Sequence, residues 1–168
     1  MILPTIYDML ICMEQTIVNT VEPDLKSHKG LSATATIKHM LRQSALRLEH
    51  EGAFLVEDIA RQRVLIRRIA DYLSGAGDPI GATVAEALDA IPGAPEGYPT
   101  LSALSEIGVA LRNQFHDGLK ALQALRDSRA DDADYAALRA DIRTYAEWQI
   151  GEETKLIGPA SFGQGPRR

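Results

Sequence analysis

A chain of 168 residues with 23 Asp and Glu against 18 Lys and Arg has a formal net charge of −5 and a pI near 5.4. That balance excludes nucleic acid as the main partner, because phosphate backbones demand clustered positive charge. The single cysteine, Cys12, excludes an intrachain disulfide and fits a reducing cytoplasm, while the 45% hydrophobic content is ordinary for a domain with a real core.

The N-terminal residues Met1-Ile2-Leu3-Pro4 lack the basic lead of a signal peptide, and Asp8 and Glu14 interrupt the apolar residues beyond them. A first helix is expected from Thr5 to Val21, with Ile6, Met9, Leu10, Met13, Ile17 and Val21 as its buried stripe. Pro23, Ser27 and Gly30 mark Glu22–Gly30 as a loop, within which Pro23 could open one short turn. From Ser32 to Leu73 the pattern is helical again, with Ser32 as N-cap and Ile37, Met40, Leu41, Ala45 and Leu48 in one sector. Gly52 costs about 1 kcal/mol relative to Ala inside a helix, so the stretch reads as two antiparallel helices hinged at Glu51-Gly52. Leu55, Ile59, Ile66, Ile69, Ala70 and Leu73 form the apolar face of the second.

Ser74–Pro79 is rich in helix breakers. Its spacing Gly75, Gly77, Gly81 follows a helix rather than a strand, and so terminates that helix instead of cradling a dinucleotide. A short helix fits Pro79 to Ile91, and Pro92–Pro99 is an extended connector. The next helix, capped by Thr100 or Ser102, carries an apolar series from Leu101 to Leu125 in steps of three or four. Asp127–Asp132 forms a charged turn, and a last helix runs from about Asp132 to Ile157. No strand signal occurs.

The expected fold is therefore all-α: an antiparallel bundle of four long helices plus one short one, with the Ser32–Leu73 hairpin at its centre. It occupies residues 1–158 as one domain, and Pro159–Arg168 is a flexible tail. No run approaches the roughly 18 apolar residues of a membrane span, so a cytoplasmic protein that avoids membranes is expected.

Metal chemistry in a bundle needs ligands three or four residues apart on one face. Three residues before His28, His39, His50 and His116 stand Leu25, Thr36, Arg47 and Asn113, and four residues after them stand Ser32, Gln43, Phe54 and Lys120. No metal and no cofactor is assigned. His39 and His50 share a stripe with Gln43 opposite the apolar sector, which reads as a solvated face. Arg61, Arg63, Arg67 and Arg68 spread around their helix, with Glu57 placed to pair with Arg61, and read as a salt-bridged surface. Arg139 and Arg143 lie one turn apart, spaced to grip a phosphate or carboxylate or to share a solvated face.

One polar pattern stands out. Gln62 and Ser44 interrupt apolar stripes, Gln149 and Glu153 continue the line of Tyr135, Leu138 and Ile142, and Glu14 borders the first helix's stripe beside Tyr7. Most of these sit mid-helix, so in an antiparallel bundle they would meet in one layer that either satisfies itself or lines a cavity. As a site, Glu14 and Glu153 would be its acid or base groups, and Tyr7, Ser44, Gln62 and Gln149 would bind a small polar ligand. The leading expectation is a non-catalytic accessory or interaction protein that self-associates or binds another protein. Ile11, Val18, Leu46, Val56, Val64 and Trp148 fall off the main stripes and ask for partners. The alternative is a small-molecule-binding protein or enzyme built on the polar layer.

Overall fold

The computed structural model describes residues 3–157, so the tail expected at 159–168 lies outside the described residues. Within them all regular structure is helical: α1 (Ile6–Thr16), α2 (His28–Gly75), α3 (Pro79–Ala90), α4 (Leu101–Ala124) and α5 (Ala133–Leu156). A π-helical turn, Ile17–Val21, and a 3-10 turn, Glu22–Asp24, connect α1 to α2. No helix among the described residues is long and apolar enough to cross a membrane.

Local capping explains most boundaries. Thr5 and Asp8 form a reciprocal capping box at α1, Asp78 accepts from the Ile80 N–H ahead of α3, and Thr100 accepts from the Ala103 N–H at α4. Asp132 Oδ1 takes the Asp134 and Tyr135 N–H groups at the start of α5. Helix α2 begins earlier than its sequence pattern suggests: Ser27 Oγ accepts from the Gly30 N–H, and Ser32 lies inside the helix. After α2, Gly77 adopts φ +79° while the Asp78 N–H bonds back to Leu73 O, which ends the helix as expected.

The expected hairpin at Glu51-Gly52 is not formed; both of its arms belong to the one 48-residue helix α2. The physical reason is phase. Leu41, Ala45, Leu48, Gly52, Leu55, Ile59, Gln62, Ile66, Ile69 and Leu73 follow one another in unbroken steps of three and four, so a single helix satisfies both segments. Gly52 needs no turn conformation there, and its nearest non-local neighbour is the Leu101 side chain, 3.7 Å from where a Cβ would stand.

The chain divides into two compact units, one made of the described residues up to Glu51 and from Glu153, the other of Gly52–Glu152. The second unit carries the core. One cluster joins Ile59 and Ile66 of α2 to Val84 and Leu88 of α3 and Leu104 and Leu111 of α4. Another joins Ile69 and Leu73 to Leu122 of α4 and to Tyr135, Leu138 and Tyr145 of α5. The α2 residues Ile66, Ile69, Ala70 and Leu73 are wholly buried, since neighbours cover them from several sides.

The first unit is different. No residue of α1 is buried, and in the described α2 portion of this unit only Thr34 and Ala45 are. Its helices meet through Leu10, Ile11, Glu14 and Ile17 on the α1 side, all half-buried, and through the α2 face that includes Lys38, Leu41 and Ala45. Arg42 pairs with Glu14, and Lys38 Nζ lies 2.6 Å from Glu22 Oε1. The stripes expected to be buried are thus displaced: Ile6, Met9 and Met13 on α1 and Ile37, Met40 and Leu48 on α2 are exposed. Two ion pairs and the Leu10, Ile17, Leu41 and Ala45 parts of the stripes make the contact, and the other parts are left uncovered.

Candidate functional site

The polar interruption at Gln62 does mark a buried polar cluster, but its other members are not the expected ones. Asp58, one turn before Gln62 on α2, is fully buried, as is Gln62 itself. Gln62 Nε2 donates to Asp58 Oδ2 at 2.6 Å, and the Tyr145 hydroxyl of α5 donates to Asp58 Oδ1 at 2.6 Å. Arg112 of α4, with its side chain half exposed, brings a guanidinium nitrogen to 3.8 Å from Asp58 Oδ2. Three helices therefore converge on one carboxylate.

Aromatic rings wall this centre. Phe115 meets the Tyr145 ring edge-on at 5.6 Å, Trp148 lies 6.0 Å from Tyr145, and Phe54 stacks on Trp148 at 5.8 Å. Arg61 sits 4.3 Å over the Trp148 ring while also pairing with Glu57, so Trp148 has its partners inside the unit. Burial, followed by the hydrogen bond to Asp58, pushes the Tyr145 phenol well above the usual tyrosine range. The phenol is therefore a locked donor, suited to holding a carboxylate and unsuited to acting as a base near neutrality.

One atom has no partner: Gln62 Oε1 is buried without a hydrogen bond. Reversing the amide would turn this oxygen toward the Asp58 carboxylate, so the orientation shown is the favourable one, and it leaves one buried acceptor without a partner. The polar centre is consequently satisfied at Asp58 and one acceptor short of it at Gln62.

The remaining expected site residues are distributed differently. Tyr7, Glu14, Ser44 and Glu153 belong to the first unit, and Gln62 and Gln149 to the second. Ser44 is exposed, because the α2 face it shares with Ile37, Met40 and Leu48 is the uncovered one, and Glu153 is exposed as well. On α5 the inward line passes through Tyr145 and half-buried Gln149 toward Glu152 rather than Glu153. Glu14 is occupied by Arg42. Tyr7 lines a small cleft of about 240 Å³ with Ile11, His39, Gln43 and Leu46, so His39 and Gln43 of the stripe read as solvated are half-buried there, while His50 is exposed as expected.

The basic run on α2 is held as a salt-bridged surface. Arg61 pairs with Glu57, Arg67 with Asp89 and Arg68 with Asp141, and Arg63 donates to the Ile91 carbonyl at 2.9 Å beyond the end of α3. Among the described residues no group of three or more His, Cys, Asp or Glu side chains converges as metal ligands would. No family model, curated protein or solved structure matches the chain.

Proposed function

We propose that this chain is a non-catalytic interaction protein that self-associates through its first unit, two copies completing an antiparallel helical bundle that neither forms alone. The carrying observation is the absence of any buried residue on α1, together with the exposed apolar residues Ile6, Met9, Met13, Ile37, Met40 and Leu48. As the chain runs back from Glu22 to Glu14, the paired residue advances from Lys38 to Arg42, as antiparallel helices require. In such a pair, wheel geometry puts the α1 and α2 apolar faces on the same side.

A second copy is the occupant favoured by chemistry. Ala33, Ile37, Met40, Ser44 and Leu48 form a face without charge, so a like face raises no repulsion, and a two-fold pairing sets each patch against itself. The six exposed side chains amount to roughly 600 Å² per protomer, and a pair would bury on the order of 1,200 Å², the lower edge of stable interfaces. The free, exposed Cys12 and the acidic composition suit a cytoplasmic setting.

Size-exclusion chromatography with light scattering at tens of micromolar should give about twice the 18.3 kDa chain mass. The double substitution Met13→Glu and Met40→Glu should yield a helical monomer. A wild-type monomer at that concentration would falsify the reading. The competing reading, a small polar ligand in the polar centre, draws on the unpartnered Gln62 Oε1, and gains only if a ligand protects Tyr145 and Trp148 fluorescence from quenching.

A further inference from the structure

Most described arginines are held. Glu14 and Glu51 pair with those of the first unit, while Glu57, the Ile91 carbonyl, Asp89 and Asp141 hold those of α2 beyond Gly52. Arg112 is held by Asp58, and Arg129 by Asp132 at 3.8 Å. Three are not. Arg126, Arg139 and Arg143 have no side-chain ion pair or hydrogen bond among the described residues, and all three line one cleft of about 410 Å³ where the turn after α4 faces α5. In a chain of net charge −5, three guanidinium groups without an ion-pair partner at one place are not a consequence of composition.

We propose that this cleft is a binding site for a small phosphoryl dianion, in the form of a phosphomonoester or of free phosphate. Arg139 and Arg143 are four residues apart, so they rise on one face of α5 about 6 Å from each other, where as like charges they repel. Arg126 comes from the turn after α4 and lines the same cleft. Each guanidinium presents a planar fork that matches two phosphoryl oxygens. The Asp127 carboxylate also lines the cleft, which leaves two net positive charges, the complement of a phosphoryl group near its full ionisation at pH ~7.5. Tyr135 contributes a wall rather than a donor, since its hydroxyl already donates to Leu122 O at 3.0 Å. The volume lies in the range of small-molecule pockets and exceeds the needs of phosphate alone, so a small organic group fits beside it.

Titration calorimetry of the full chain at low salt, using inorganic phosphate and glycerol 3-phosphate as probes, tests the site. Binding of at least one probe is expected, weakened roughly tenfold or more by Arg139→Gln, Arg143→Gln or Arg126→Gln, and weakened also by added salt. Tighter binding of glycerol 3-phosphate assigns the site to a phosphomonoester, and equal or tighter binding of phosphate assigns it to the free ion. Arg67→Gln, which removes an arginine paired on another surface, should leave affinity unchanged. Circular dichroism checks that each variant stays folded, as expected for side chains that hold nothing else. Failure of both probes to bind at ~10 mM, or binding that the Arg139→Gln/Arg143→Gln double variant retains, overturns the proposal.

Discussion

The hydroxyl of Tyr145 and the carboxylate of Asp58 stand 87 positions apart in the chain, yet their 2.6 Å contact is the central polar bond of the second unit. Removing it by Tyr145→Phe should cost about 1.5–3 kcal/mol, the range for a hydrogen bond to a charged group, measured by urea denaturation at neutral pH. The pH dependence comes from the raised phenol. A tyrosine ionises near pH ~10 when unfolded, while Tyr145 stays protonated in the fold well beyond that. Its contribution is therefore complete below pH ~10 and is lost as pH rises further, because only the unfolded chain then releases the proton. The loss of stability between pH ~9 and ~11 should be shallower in Tyr145→Phe than in wild type, with the residual slope coming partly from Tyr72, which burial and its bond to Asp132 also raise. A parallel pair of pH curves would count against this account. Gln62 was legible in sequence as a polar residue on an apolar stripe. Asp58 lay in the same pattern, three residues after Leu55 and four before Gln62, but helical periodicity records which face a residue occupies and not which distant donor will meet it.

Elements were legible wherever a cap and a period agreed, as at Thr100 for α4 and Asp132 for α5. The hinge at Gly52 failed because glycine is only a local penalty, whereas the continuous three-and-four series across it is a property of the whole helix. Glycine has a sharper meaning at the α2–α3 junction. A Cβ on Gly81 would stand 2.5 Å from the Ser74 backbone nitrogen and 2.7 Å from the Ala70 carbonyl oxygen, so only glycine lets α3 fold back this closely. Gly81→Ala should therefore destabilise by about 1–3 kcal/mol, as overpacking against backbone does, despite alanine's better helix propensity. Gly151→Ala, in α5 with nothing within 4 Å of the new atom, should instead be neutral or stabilising by up to ~1 kcal/mol. Thermal melts followed by circular dichroism compare the two directly; equal shifts of the same sign would remove the close-approach argument.

For the whole molecule, helical class was readable from composition and period, but the unequal division of its core was not. Hydropathy gives α1 and the first half of α2 stripes as apolar as those of a buried helix, so sequence alone credits them with burial inside the chain. The structure leaves Ile6, Met9 and Met13 of the first stripe and Ile37, Met40 and Leu48 of the second exposed and concentrates burial in the Gly52–Glu152 unit. Stability tracks burial, since regions with few apolar contacts open with small free energies. Hydrogen exchange on the intact chain should show amides of residues 6–51 exchanging well before those of 59–73 and 104–122. If the uncovered stripes bind a second copy, association protects the first unit by mass action, and its protection should fall on dilution from about 100 to 1 µM while that of the second unit stays constant. Uniform protection across both units would contradict the division, and slow exchange in residues 6–51 that is indifferent to concentration would mean that the first unit is stabilised without a second copy. The same dilution series carried out on the Met13→Glu/Met40→Glu variant should begin where the wild type ends, because the charged face has no partner to lose.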